Sequence, residues 1–472
     1  MTMNEQDNRQ YQHIILVSLD SLRNDCLTAI LSRFPDSVVG RGKFNTTLLN
    51  YLIAHGTYFS NCITAAPYTS ASHAAYFTGC WPRHNGVYEF FNRQIGRPTI
   101  FELAHQKDIH TIFQTDFPII LGDSLGFTRG VDKYFIESEK VAFSELLRNR
   151  HNRTVSFFHF GGIHYPYGFH KLKFARADFP QKVRELEQKF NVGRTSKHPD
   201  MLDESFRDSK DKDLLLRYKS IVDSLWVRGM YHELHRLYIE GIDYFLKHRF
   251  NSFIKRVINF VDSTNSLLIV FADHGESWSA DSRGHSNAIN DAVLRVPLIF
   301  YGKGVAKGAV VSKLVRTIDV LPTICRYSSI NCQNVDGMPI NLATPNASIG
   351  SREAFAQVWR VGNRLKIYRH QQRILKGKKM IKPLATKLEK EAVYHDNFAL
   401  NREYLADGKL GHETLFKNTG RGLRSVKGDA VASIRLRNLL KRYNRTKYDE
   451  SRKINEISKS IADDLQTLGY HV

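Results

Sequence analysis

Apolar residues come mainly in short unbroken runs: H-I-I-L-V-S-L from His13 up to Asp20, Val155 to Phe160, Ser266 to Phe271, and V-P-L-I-F-Y after Arg295. Runs of this length suit strands buried on both faces of a parallel sheet. Between them, Thr46 to His55, Thr99 to His105 and Tyr238 to Val261 read as helices, while Thr57 to Thr64 and Ile109 to Gln114 read as further extended pieces. Alternating buried strands and helices predict an α/β fold with a mostly parallel central sheet and helices on both faces. The charged section from Phe169 to about Glu233 reads as a surface insertion. Beyond about Gly350 the composition shifts, and Arg360 to Lys387 is dense in Lys and Arg with interleaved Val, Leu, Ile and Tyr. That pattern predicts a small antiparallel sheet. The expected division is a catalytic domain over 12–349 with the insertion at 169–233, a small basic C-terminal domain over 350–440, and a charged terminal helix or tail over 441–472.

In open α/β sheets ligands bind beyond the carboxyl ends of the strands. Three of the apolar runs end in residues able to hold a metal: Asp20, His164 just past Gly161-Gly162, and the pair Asp273-His274. A fourth stretch, A-A-P-Y-T-S-A-S-H-A-A-Y-F-T-G from Ala65 to Gly79, places Thr69 at the start of a helix for which Ser70 and Ser72 are good N-cap residues. A hydroxyl there lies in the positive field of the helix N-terminus, beside backbone N–H groups that suit an anionic ester. Thr69 is therefore a candidate nucleophile. A divalent metal on Asp20, Asp273, His274 and the Thr69 hydroxyl would lower that hydroxyl's pKa and polarise a phosphoryl or sulfuryl oxygen. His164 and His285 would neutralise non-bridging oxygens or protonate the leaving group. Each residue also has a plainer role: Asp20 as a strand-end cap, Thr69 as a helix cap, Asp273-His274-Gly275 as a helix-starting turn, His164 as a turn histidine, and Arg23 as a partner for Asp25. Their joint placement on successive strand ends favours the site.

Composition narrows the setting. The chain has 472 residues, 42% of them hydrophobic and 11% aromatic, enough for a large core. Its formal charge of +21 asks for an anionic substrate or partner. Five cysteines, an odd number without C-x-x-C spacing, favour a reducing cytoplasm over a disulfide framework. No stretch approaches the roughly 20 apolar residues that a membrane span needs, so no transmembrane segment is expected.

The spaced segments I-I-L-V-S-L-D-S-L-R-N-D, A-P-Y-T-S-A-S-H-A-A-Y-F-T-G-C-W-P-R-H-N-G-V, G-I-H-Y-P-Y, F-A-D-H-G-E, and G-H followed by L-R-V-P-L-I occur in one order from about His13 to Gly337. In that order they resemble the sulfatase-like branch of the alkaline phosphatase superfamily. The resemblance implies an alkaline phosphatase-like fold in which Asp20, Asp273 and His274 bind a divalent metal, Thr69 is the nucleophile, and His164 and His285 contact the transferred group. His73 and Arg295 are further expected substrate contacts. G-N-R-L-K-I-Y from Gly362 looks like the family's C-terminal strand with its basic residue, here Lys366.

Departures from the family pattern shape the chemistry expected. Sulfatases oxidise a Cys or Ser within C-x-P-x-R to formylglycine, whereas this chain has Thr69, Ala71 and His73 at those places, and threonine cannot yield the aldehyde. The family's paired aspartates become Asp20-Ser21, and His274 brings a nitrogen ligand. The metal thus tilts from calcium towards zinc or manganese. One ion is expected; a second is left open, with His285 as a candidate ligand for it. Both changes look like the threonine-using phosphotransferases, phosphodiesterases and phosphonate hydrolases of the superfamily. The leading expectation is a metal-dependent hydrolase or transferase acting on a phosphate ester through a covalent threonine intermediate. One alternative is a sulfatase working without formylglycine. The other is a fold without turnover whose basic C-terminal region holds an acidic polysaccharide, a nucleic acid or a membrane surface.

Overall fold

The computed structural model describes residues 10–31, 47–88, 94–167, 179–192, 212–280, 282–361, 386–419 and 422–446. Its centre is a sheet built from β1 (His13–Leu19), β2 (Thr57–Ile63), β3 (His110–Thr115), β4 (Lys133–Ile136), β5 (Thr154–Phe160) and β6 (Ser266–Phe271). A short hairpin, β7 (Trp278–Ser279) with β8 (Ser282–Arg283), stands apart, and β9 (Arg295–Gly302), β10 (Ala309–Val311) and β11 (Val315–Arg316) complete the sheet. The spatial order is β10-β2-β9-β6-β1-β5-β3-β4, with β11 paired to β2. Only β9 runs against its neighbours; the other pairings are parallel.

Every residue of β1, β5 and β6 is buried, as their unbroken apolar runs require. These three are neighbours, with β1 in the middle. Leu19 stands level with Phe160, and Ser18 with Phe271, so the residues that follow leave the sheet at one height. The metal-capable strand ends of the sequence are thereby brought together. The helix Thr69–Thr78 is buried along its whole length. Phe77 on it packs edge-on to Phe101, Phe113, Phe127 and Phe157, which fixes the helix against β3 and β5. Gly79 closes it in the left-handed region, at φ 64°, where a side chain would be strained.

The helix expected over Tyr238 to Val261 is interrupted. It runs as Tyr231–Phe245 and Asn251–Ser263, joined by a π-helical turn, Leu246–Phe250. The wider turn carries Arg249 inwards to Asp116, with bonds of 2.6 and 2.9 Å, and to Glu139 at 2.9 Å. In the section read as a surface insertion, the helix Lys212–Val227 sends Leu215, Tyr218, Ile221 and Leu225 into the main core. Its polar residues alone gave the appearance of a surface element. Among the described residues no helix is long and apolar enough to cross a membrane.

The C-terminal region forms a separate five-stranded antiparallel sheet of β12 (Glu353–Val361), β13 (Thr386–His395), β14 (Phe398–Tyr404), β15 (Leu410–Asn418) and β16 (Leu423–Ser425). The helix Ala430–Arg445 covers it with Leu436, Leu440 and Tyr443. Trp81, just past the Thr69–Thr78 helix, packs edge-on against Phe355, which stacks on Tyr443. This small core joins the two sheets. Lys366, most of the basic run Arg360 to Lys387 and the tail beyond 446 lie outside the described residues.

Arg249 is the buried counter-charge for two carboxylates. Burial works against ionised Asp116, yet Arg249 beside it holds it well below the usual carboxylate range. Replacing Arg249→Met leaves both carboxylates without their cation and is expected to cost about 3–5 kcal/mol. The check is the urea midpoint; an unchanged midpoint would show that the pair carries no weight in the fold.

Candidate active site

Asp20 follows β1 and is fully buried. Its Oδ2 accepts a hydrogen bond from Thr69 Oγ1 at 3.2 Å and lies 3.1 Å from His159 Nε2, while its Oδ1 accepts from Ser21 Oγ at 2.8 Å. Ser21 sits at φ 63°, a left-handed turn unusual for serine that carries its backbone N–H to Asp273 Oδ1 at 3.1 Å. Thus where the family carries a second aspartate, Ser21 ties the two carboxylates together. Asp273 and His274 follow β6. His274 Nε2 lies 3.3 Å from Thr69 Oγ1, and its Nδ1 donates to Gly275 O at 3.0 Å, which fixes the tautomer.

The Thr69–Thr78 helix begins at Thr69 itself. Ser70 and Ser72, expected as caps, lie inside it, and its first turn has no side-chain cap at Tyr68. Ser72 Oγ donates to Asp273 O at 2.7 Å and so clamps the helix start to the end of β6.

Asp20, Asp273 and His274 each offer a ligand atom within 4.8 Å of the others, and all three are buried. Asp273 Oδ2 is buried without a hydrogen-bond partner, a cost that a bound cation relieves. Burial and the charge of Asp20 push Asp273 above the usual carboxylate range, with His274 and His159 opposing. Burial also disfavours ionised Asp20, but His164, His159 and His274 hold it well below that range. Two carboxylates that cannot both ionise cheaply, one with an orphaned oxygen, fit a divalent metal. The donor set of two carboxylates and an imidazole suits one.

The remaining expected residues separate into two groups. His164 and His285 come to the site: their rings are 5.1 Å apart, and His285 stacks on His274 at 4.0 Å. His73 lies beneath it, its ring nitrogens 2.8 Å from Thr69 O and 2.9 Å from Ser18 Oγ, so both are spent on holding the helix to β1. Burial and His159 push His73 down to about 3. Arg295 opens β9 and is engaged by Asp291, at 2.9 and 3.0 Å, and by Asn61. Arg23 pairs with Asp25 at 2.9 and 2.5 Å.

Two residues at the centre were not singled out from sequence. His159 lies inside the apolar run S-F-F-H-F, and a polar residue within a strand buried on both faces is the signal that could have found it. Glu276 is fully buried with its carboxylate on His285, and its place at the end of F-A-D-H-G-E, directly after the metal-capable pair, is the signal that could have found it.

A family model described as Sulfatase matches residues 12–330, and the chain belongs to that family. Among curated proteins it is similar to the low-salt glycan biosynthesis sulfotransferase Agl7 of Haloferax volcanii, 22% identical over 368 residues, covering 76% of this chain and 71% of the relative. Among solved structures it is similar to BT4656 in complex with its substrate D-glucosamine-2-N,6-O-disulfate, with TM-score 0.61, 13% identity, and 93% and 98% of the two chains covered. It is likewise similar to the phosphonate monoester hydrolase of Silicibacter pomeroyi, with TM-score 0.56, 15% identity, and 93% and 94% covered. At these identities the structural likenesses speak for the fold alone. The protein is thus a sulfatase-family enzyme of sulfate or phosphate esters with an alkaline phosphatase-like α/β fold.

Asp273→Asn removes one of the two opposed charges and keeps the size of the side chain. The metal-free variant is expected to melt no lower than the metal-free wild type, while the rise in Tm on adding Zn²⁺ or Mn²⁺ disappears. Differential scanning calorimetry with and without chelator reads both, and a persisting metal-dependent rise would remove Asp273 from the ligand set.

Proposed function

We propose that the protein is a metal-dependent transferase or hydrolase that moves a phosphoryl group from an ester donor through a covalent intermediate on Thr69. The observation that carries this reading is the position of Thr69 Oγ1, 3.2 Å from Asp20 Oδ2 and 3.3 Å from His274 Nε2, at the first residue of a buried helix. Asp20, Asp273 and His274 would hold one divalent ion, zinc or manganese rather than calcium, which when bound lowers the pKa of the Thr69 hydroxyl and offsets charge on the transferred group.

Asp20 and His274 aim Thr69 Oγ1; as the oxygen attacks phosphorus in line with the departing ester oxygen, Asp20 Oδ2 takes the hydroxyl proton and returns it when the second displacement frees Thr69. The positive field of the helix start would favour the anionic group. His164 or His285 gives the departing oxygen its proton, and the same histidine takes a proton from the incoming water or alcohol in the second displacement. Two in-line displacements return the original configuration at phosphorus. His73 keeps the helix, and with it Thr69, in register with β1. On this reading the five free cysteines fit a reducing compartment such as the cytoplasm, and the basic run holding Lys366 would add affinity for an anionic donor.

One observation favours a second reading. The curated relative is named a sulfotransferase of glycan biosynthesis and is matched over 76% of this chain, which supports sulfuryl transfer from a sulfate ester to a sugar hydroxyl. Formylglycine hydrate can release sulfate by breaking its own C–O bond, but a threonine sulfate cannot. Turnover would then require the acceptor to attack sulfur, which fits a transferase better than a hydrolase.

Thr69→Ala is expected to lower turnover by about 10³-fold or more. The substrates are p-nitrophenyl phosphate, bis-p-nitrophenyl phosphate, a phenyl phosphonate ester and p-nitrophenyl sulfate, each with Zn²⁺, Mn²⁺ or Ca²⁺ and with or without a sugar acceptor. A phosphoryl adduct on the Thr69 peptide by mass spectrometry supports the first reading, and acceptor-dependent cleavage of the sulfate alone supports the second. Undiminished activity in Thr69→Ala would falsify both.

A further inference from the structure

Resting on the reading of His285 as a proton carrier, we propose that Glu276 is a positioning residue that sets the tautomer and the ring plane of His285. His285 Nδ1 lies 3.2 and 3.4 Å from the two oxygens of the Glu276 carboxylate. A single nitrogen held between both oxygens suits an N–H donor facing the carboxylate fork, and poorly suits a carboxylic O–H donor, which would draw one oxygen close. The proton is thus fixed on Nδ1, and Nε2 is the atom that gives or takes a proton at the transferred group.

Three further contacts make this a built arrangement. Glu276 is fully buried, so its hydrogen bond to His285 is shielded from competing solvent. Gly284, at φ 84°, leaves room for the carboxylate: a Cβ there would lie 2.9 Å from Glu276 Oε1. Arg23 donates to Glu276 O at 3.2 Å and holds the backbone that carries it. On its other side the His285 ring lies against His274, with centroids 4.0 Å apart and planes inclined by 25°. Glu276 therefore fixes the ring edge while His274 fixes the ring face, and rotation about the Cβ–Cγ bond is blocked from two directions. Because His274 also lies within hydrogen-bond distance of Thr69 Oγ1, the same stack ties the proton carrier to the nucleophile.

The decisive measurement needs no turnover. In protein labelled with ¹⁵N-histidine, the wild-type His285 ring, assigned by comparison with His285→Gln, is expected to show a protonated Nδ1 and an unprotonated Nε2. A neutral His285 protonated on Nε2 would overturn the proposal. In Glu276→Gln, whose amide presents either an oxygen or an N–H to the ring, a mixture of tautomers is expected. Its kcat should fall about 10–100-fold with KM little changed, and Glu276→Asp should recover part of the loss because it restores the carboxylate. Unchanged kcat in Glu276→Gln, or a variant that loses only its folded structure by circular dichroism, would likewise overturn it. The two readings fail separately: if Thr69→Ala stays active the nucleophile assignment falls, while the tautomer of His285 still decides the role of Glu276.

Discussion

Two buried carboxylates brought face to face govern the site. Asp20 and Asp273 leave adjacent strands at the same height, and every nearby polar group answers the repulsion between them. Ser21 bonds to both, with its hydroxyl on one and its backbone N–H on the other. His159 and Thr69 share Asp20 Oδ2, and His274 stands between the pair, raised above its ordinary value because the two carboxylates outweigh the effect of burial. One oxygen of Asp273 is left over. A fold that gathers this much charge in a dry interior without a cation carries an unrelieved cost, and a divalent ion is the economical remedy.

Rigidity around that centre comes from aromatic and small side chains in alternation. The Thr69–Thr78 helix has alanine at 71, 74 and 75, which lets it lie close to the sheet, while Phe77 and Tyr76 lock its far end among other rings. Its start is clamped by Ser72 on Asp273 O and by His73 on Ser18. A hydroxyl carried on so well packed a helix is held in place with little further loss of entropy. Behind β3 and β5, Arg249 answers Asp116 and Glu139, and the N–H of Gly161 donates to Asp116 at the point where the His164 loop begins. The His164 loop and the π-helical turn are therefore parts of one charge-balanced unit.

Much of this was legible in the residues. Unbroken apolar runs marked β1, β5 and β6 because a strand buried on both faces has no polar side to show, and the metal-capable residues at their ends followed from where such strands must present ligands. A helix close after Thr69 was equally visible, although it begins at Thr69 and takes Ser70 and Ser72, read as caps, inside it. His73 and Arg295 show the limit: both were expected at the substrate, but the structure spends both His73 nitrogens on internal bonds and engages Arg295 with Asp291 and Asn61. A charged side chain near a motif looks the same in sequence whether it faces a ligand or a neighbouring chain segment.

The sequence by itself determined the strands, the order of the motifs and the residue types able to bind a metal and an anionic ester, because those depend on local periodicity and side-chain chemistry. Tertiary structure alone decided that β6, β1 and β5 are neighbours, that Ser21 bridges two carboxylates, that His159 reaches Asp20, and that Glu276 holds His285. Each of these is a contact between residues that local sequence treats as independent. Glu276 and His285 are nine positions apart, and His159 and Asp20 are 139 apart. Only the closing of the sheet, driven by burial of its apolar strands, brings such pairs within the 3 Å or so at which hydrogen bonds form.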